Sequence, residues 1–277
     1  MNDGVIFFER IVQLNLSYLN INAWQGGRVL MRELIAFLRA QSADIIALQE
    51  VYDGDGIRLP RHYAFLSILR RELEPRGYAY CAFAPAFAMQ SPYGPIPQGN
   101  AVLSRYPLTP QETIFYDVPF DPFYQCPDDP ECTKGDFSRL PRNLQHVIVD
   151  VKGTLVHAFN TQGIWGTDGN DNKRRLKQSK IICDAIAEQP HVILSGDFNV
   201  AESTESIAML QKALHDPFQG SRTTSFNMRH KPAGSGFSTA VIDFVMVSRD
   251  FEVTHYEQPE INVSDHLPQR VELAFES

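Results

Sequence analysis

The sequence predicts a mixed α/β fold in which two packed β-sheets are flanked by helices. Short apolar runs of strand length recur and end in polar residues, and segments with helical apolar spacing follow some of them. Several of the strand-like runs succeed one another with no helix between, which excludes a strict alternation of strand and helix. Mixed α/β architectures reach 277 residues with one continuous core, so a single domain over residues 1–277 is expected.

Taken in order, residues 11–22 set Leu14, Leu16, Tyr18 and Asn20 on one parity, the mark of a strand. After a glycine turn, residues 28–41 carry Leu30, Leu34 and Leu38 in register beside Met31 and Ile35, which predicts a helix. Residues 44–51 form a short apolar run ending in Gln49-Glu50, a buried strand whose end reaches a polar site. A helix follows over 62–73, then strands over 78–83, 101–104, 144–151 and 155–160, and a helix over 172–188. A strand over 191–194, a helix over 205–214 and strands over 241–248 and 269–275 complete the order. Two segments read as loops: 84–99, rich in Pro and Gly, and 115–143, in which Phe115, Tyr116, Phe120, Phe123, Tyr124 and Phe137 stand among Asp and Pro. The aromatics of the second suit an ordered wall or lid. No internal repeat or linker interrupts the chain.

Composition narrows the function classes. Lys and Arg number 25 against 33 Asp and Glu, a formal net charge of -8, so the chain lacks the electropositive surface that grips nucleic acid regardless of sequence. Cys81, Cys126, Cys132 and Cys183 lack the paired short spacings of a zinc site, and only Cys126 and Cys132 stand where pairing in an oxidising compartment is an option. The first ten residues are short in apolar run and carry an acid where a signal peptide carries Lys or Arg. With no apolar run of bilayer length either, a soluble, cytoplasmic protein is expected.

The sharpest chemical signal is Val192-Ile193-Leu194-Ser195-Gly196-Asp197-Phe198-Asn199. An apolar strand delivers an acid and an amide two residues apart, hence on one face, after a glycine that permits close backbone approach. Asp243 lies within the otherwise apolar stretch 241–248, where an ionised carboxylate needs a partner, and His266 in Ser264-Asp265-His266 can supply one. Glu50 and Asn20 each sit at the tip of an apolar run. Oxygen ligands gathered from several strand ends are what a hard cation such as Mg²⁺ requires. Lys173-Arg174-Arg175 at a helix start reads as a solvated face.

In this order the pieces resemble the endonuclease/exonuclease/phosphatase superfamily, the group containing DNase I, abasic-site endonucleases, neutral sphingomyelinases and inositol polyphosphate phosphatases. The matching stretches are Leu19-Asn20-Ile21-Asn22, Leu48-Gln49-Glu50, Gly99-Asn100 with the strand to Arg105, Phe159-Asn160-Thr161, Gly196-Asp197-Phe198-Asn199, Ile242-Asp243-Phe244-Val245 and Ser264-Asp265-His266, spanning almost the whole chain.

The resemblance implies a four-layered, DNase I-like α/β sandwich with its site at one end of the paired sheets. It implies Glu50 as principal ligand of Mg²⁺ or Mn²⁺, with Asn20 and Asp265 as further ligands. Asp197 would activate or orient water, Asn199 would hold the phosphate, and His266, supported by Asp243, would neutralise developing charge. Either Asp197 or His266 could be the base. Asn100, Asn160 and Gln162 would contact substrate; where many relatives read Asn-Thr-His, this chain reads Asn160-Thr161-Gln162, so one imidazole is missing. His157 is no substitute, because an odd offset along a strand puts it on the face opposite Asn160. The activity implied is hydrolysis of a phosphate ester, as a phosphodiesterase or nuclease. A phospholipid headgroup or inositol phosphate is the alternative substrate, and an inactive binding protein on the same scaffold is a third reading.

Overall fold

A computed structural model describes residues 13–55, 58–125, 137–231 and 239–276. The N-terminal leader reading and the Cys126–Cys132 pairing therefore lie outside the described residues. Among those described, two mixed sheets pack face to face between two layers of helices.

The first sheet is built from β1 (Gln13–Asn22), β2 (Ile45–Tyr52), β3 (Tyr80–Ser91), β4 (Gly94–Ser104), β7 (Asp121–Tyr124), β12 (Glu252–Glu257) and β13 (Gln269–Glu276). Its order is β12-β13-β1-β2-β4-β3-β7. The second holds β5 (Leu108–Pro110), β6 (Ile114–Phe115), β8 (Asn143–Val151), β9 (Thr154–Gln162), β10 (Val192–Asp197) and β11 (Asp243–Val247), in the order β11-β10-β9-β8-β5 with β6 paired to β8. A short turn, α1 (Trp24–Gly27), precedes α2 (Met31–Ala40); α3 (Phe65–Leu73), α4 (Lys173–Ile186) and α5 (Glu205–Ala213) complete the helices.

Strand alternation explains the layers. On β1, Leu14, Leu16 and Tyr18 face the other sheet and pack with Val156, Ala158 and Ile193, whereas Leu19 and Ile21 face Leu34 and Leu38 of α2 and Leu66 and Leu69 of α3. The second sheet sends Phe159, Leu194 and Phe244 outward against Ile182 of α4 and Ile207 and Leu210 of α5. Each Leu, Ile, Val or Phe so buried contributes about 1.5–3 kcal/mol relative to leaving it in water.

The two parallel strand pairs position the site. β1 and β2 run parallel across α2, and β9 and β10 run parallel across α4. Their carboxyl ends, at Asn22, Glu50, Gln162 and Asp197, lie along one rim of the sandwich. Ligands commonly bind outside the carboxyl ends of parallel strands.

Residues 84–99 are not a loop. They form the long arms of the β3–β4 hairpin, from Ala84↔Asn100 to Ser91↔Gly94. Prolines are tolerated there because β2 stops pairing with β4 at Gln98, so Pro95 and Pro97 turn their missing donors to an open edge; the Pro97 carbonyl on that side accepts from Asp53 N at 3.0 Å. Within 115–143, β7 pairs along β3, and Phe137 packs edge-on against Trp165. The strand β12 was not expected, since its mostly exposed, polar sequence carries no apolar alternation. Among the described residues, no helix is long and apolar enough to cross a membrane.

Candidate active site

Glu50 reaches the rim through a local departure from strand geometry. Simple alternation would send it outward beside Leu48, which packs under the helices. A register shift against β4 between Leu48 and Val51, with a φ of 56° at Glu50, turns it to the same side as Gln49. Three donors hold its carboxylate there: Gln25 N at 2.9 Å, Gln162 Nε2 at 2.7 Å and Asn22 Nδ2 at 3.3 Å. Gln25 itself lies in a left-handed turn with Trp24, Gly26 and Gly27. A side chain at Gly26 would place its Cβ 2.4 Å from the His62 carbonyl oxygen, so the turn requires glycine. Sparsely populated backbone conformations such as these cluster at functional sites.

Asp197 ends β10 opposite Gln162 of β9. Gly196, with a φ of 145°, brings the backbone so close to β9 that a Cβ would lie 1.9 Å from the Thr161 carbonyl oxygen. Asp197 Oδ2 accepts from Asn22 Nδ2 at 3.1 Å, and Oδ1 accepts from Asn199 N at 3.0 Å. Burial, with Asp243 and Glu50 nearby, pushes its carboxyl up to about 6. The amide nitrogen of Asn199 donates to Gly163 O at 3.2 Å and to Asp197 Oδ2 at 3.4 Å.

His266 Nδ1 lies 2.8 Å from Asp243 Oδ2 and donates to it, giving the buried carboxylate a partner. Burial alone would depress the imidazole, but Asp243, with Asp265 and Asp197, pushes it up to about 10. Arg222 and Gln269 fix the Asp243 carbonyl at 3.0 and 2.9 Å. Asp265 receives Lys231 Nζ at 2.8 Å and lies 4.0 Å from His266 Nε2.

Three predicted site residues sit elsewhere. Asn20, Asn100 and Asn160 are buried one layer beneath the rim, between the sheets. Gln49 Nε2 donates to Asn20 Oδ1 at 2.8 Å and to Asn160 Oδ1 at 2.7 Å; Asn160 Nδ2 donates to Leu48 O, Ala101 O and Gln145 Oε1; Asn100 donates to Asn143 at 2.9 Å. These amides join the sheets, and the oxygens of Asn20 and Asn160 are both taken by Gln49. The reason is strand parity: Asn22 and Gln162 lie two residues beyond Asn20 and Asn160, on the same face but at the rim. Asn22 is the amide that bridges Glu50 and Asp197, through its nitrogen, while its oxygen accepts from Trp24 N at 2.9 Å. His157 lies on the outer face as expected, 3.1 Å from the ring of His146. Nor is the basic run wholly solvated: Arg175 is fully buried and ties the 164–170 loop through Ile164 O, Asp168 and Asn170 O.

A cleft of about 180 Å³ opens beside Glu50 and Asp265, lined by Trp24, Phe137, Trp165, Arg142 and Lys231 among others. Sequence reasoning missed these cations and tryptophans, which come from loops far apart in the chain. Arg142 is buried and donates from NH1 to Gln162 Oε1. A larger groove of about 770 Å³ lies at the other end of β1, around Gln13, His191, Arg249 and Phe251, and holds none of the site carboxylates.

The sequence of residues 13–266 matches the model of the Endonuclease/Exonuclease/phosphatase family. No curated protein matches the sequence. A solved endonuclease/exonuclease/phosphatase from Beutenbergia cavernae shares the fold with a TM-score of 0.70 at 22% identity, over 94% of this chain and 72% of that one. A mannosyl-6-phosphatase from Bacteroides thetaiotaomicron gives a TM-score of 0.59 at 18% identity, over 93% and 99%. Sphingomyelinase C from Streptomyces griseocarneus gives 0.58 at 18%, over 94% and 99%. At these identities the likeness is one of fold.

Proposed function

Because the chain belongs to the endonuclease/exonuclease/phosphatase family, we propose that it is a divalent-metal-dependent hydrolase of phosphate esters in which water attacks phosphorus. The observation that carries this reading is the convergence of Glu50, Asp197 and the Asp243–His266 pair on one rim, beside a cleft with cationic walls.

The donor set suits a hard cation. Glu50 and Asp265 offer carboxylate oxygens to the same cleft, and among the described residues no three of His, Cys, Asp or Glu gather as a metal site, so water and substrate would have to supply the other oxygens. Mg²⁺ is commonly held through one or two carboxylates, with water and substrate phosphate completing its shell. Glu50 and Asp265 would therefore hold Mg²⁺ or Mn²⁺, with Asn22 beside them. Such a cation neutralises charge on a non-bridging oxygen and eases departure of the leaving oxygen.

The remaining work falls to the chain. Asp197, with a carboxyl near neutrality, is suited to take a proton from the attacking water, and Asn22 and Asn199 fix its oxygens. His266, whose hold on its proton Asp243 strengthens against the effect of burial, is suited to donate from Nε2 to a phosphoryl oxygen as charge develops. These two environments favour Asp197 over His266 as the base.

The aromatic and cationic lining of the cleft suits a small phosphoester or a headgroup. The test is a panel of chromogenic phosphodiester and monoester, sugar phosphates, inositol phosphates, phospholipids and nucleic acids, each with Mg²⁺ and with EDTA. Hydrolysis of at least one small ester, abolished by EDTA, is expected. Turnover confined to long duplex DNA would overturn the substrate assignment, and inactivity across the panel would favour a binding protein on this scaffold.

A further inference from the structure

We propose that Arg142 is the cationic anchor for a non-bridging phosphate oxygen of the substrate, a specificity-determining residue that supplies the charge Gln162 cannot; the inference rests on the phosphoester reading above. Position 162 is where the rim of β9 meets Glu50. An amide there can donate a hydrogen bond but carries no charge.

Arg142, immediately before β8, is 5% exposed and lines the cleft with Glu50, Lys231 and Asp265. Among the described residues its side chain has one partner, the neutral oxygen of Gln162, and its Nε has none. A buried guanidinium with no carboxylate in contact is costly unless something else compensates it. Glu50 and Asp197 favour its charge from a distance, although burial works against it.

Gln162 explains why these charges do not simply collapse into an ion pair. Its Oε1 accepts from Arg142 and its Nε2 donates to Glu50 at 2.7 Å, so a neutral amide separates guanidinium from carboxylate. Glu50 keeps its charge for a cation and Arg142 keeps its own for an anion. Lys231, the other cation on the cleft wall, is committed to Asp265 at 2.8 Å. A guanidinium fork matches phosphate oxygens in a way that an ammonium point charge does not.

The test is titration calorimetry of inorganic phosphate into the full chain with Mg²⁺, alongside the kinetics of whichever small ester the wild type hydrolyses. Arg142→Gln should weaken phosphate binding by about tenfold or more, the loss expected for a charge-assisted hydrogen bond, and should raise KM more than it lowers kcat. Mg²⁺ affinity should stay at the wild-type value. Arg142→Lys, which keeps the charge without the fork, should fall between the two while melting like the wild type, and it decides the matter if Arg142→Gln does not fold. Wild-type phosphate affinity in either folded variant overturns the anchor, as does a loss of Mg²⁺ affinity and phosphate affinity together, which would mark a structural role. If the wild type hydrolyses no ester while Arg142→Gln still loses phosphate, the hydrolase reading fails and the anchor stands.

Discussion

Asp243 is 1% exposed; one carboxylate oxygen, Oδ1, meets no partner among the described residues, and the other receives Nδ1 of His266 at 2.8 Å. The imidazole beside this buried carboxylate is its one side-chain partner among the described residues. Removing one member of a buried pair leaves an uncompensated charge, so His266→Ala should cost about 3–5 kcal/mol of stability in urea denaturation. Adding Asp243→Asn should restore about half of that, because the orphaned charge is gone. Strictly additive costs would show that the two side chains do not act as a pair. This partnership was legible in the sequence, since an acid inside an apolar strand demands a counterpart and a histidine follows nearby. The choice between Asn20 and Asn22 was not. Both share one face of β1, and only the end of the strand, fixed by tertiary packing, tells which of them reaches the rim.

At the scale of elements, apolar runs announced the central strands, but proline content disguised the β3–β4 hairpin, and exposure hid β12. The bulge that aims Glu50 left no mark in the residue pattern, because a positive φ at a glutamate is imposed by surroundings and not by its own preference. The β8–β9 hairpin carries a testable consequence. His146 and His157 face each other at 3.1 Å, with Phe159 stacked on His146. Burial, then the neighbouring ring, pushes His146 down from 6.5 to about 4, and burial, then His191, lowers His157. Both rings bind protons less readily when folded, so the stability they contribute is complete above the unfolded value of 6.5 and is lost as pH falls toward the folded value. Between about pH 7 and pH 5, His146→Gln should therefore lose less of its urea midpoint than the wild type does. Equal losses would show that the pair is not a source of acid sensitivity.

For the molecule as a whole, the layered fold was legible because each sheet must bury one face on the other sheet and one on helices, and the apolar pattern records both. Of the cleft, the aromatic wall at Phe137 was legible, but Trp24, Arg142, Trp165 and Lys231 were not, since they converge from segments far apart in the chain. With a net charge of -8, the chain should bind random duplex DNA weakly and with a shallow salt slope, which anisotropy at two salt concentrations would check; tight, steeply salt-dependent binding would contradict it. The central claim is that Glu50, turned to the rim by its bulge, holds the divalent cation for phosphoester hydrolysis. Its most direct test is the rate of chromogenic phosphoester hydrolysis against Mg²⁺ concentration, for the wild type and for Glu50→Gln. The wild type should be silent in EDTA and recover along a saturable Mg²⁺ curve, and Glu50→Gln should need about tenfold or more Mg²⁺ for half-activation, since hard cations favour charged oxygens over amides. Hydrolysis that persists in EDTA, or a Glu50→Gln curve superimposable on the wild type, would contradict the account.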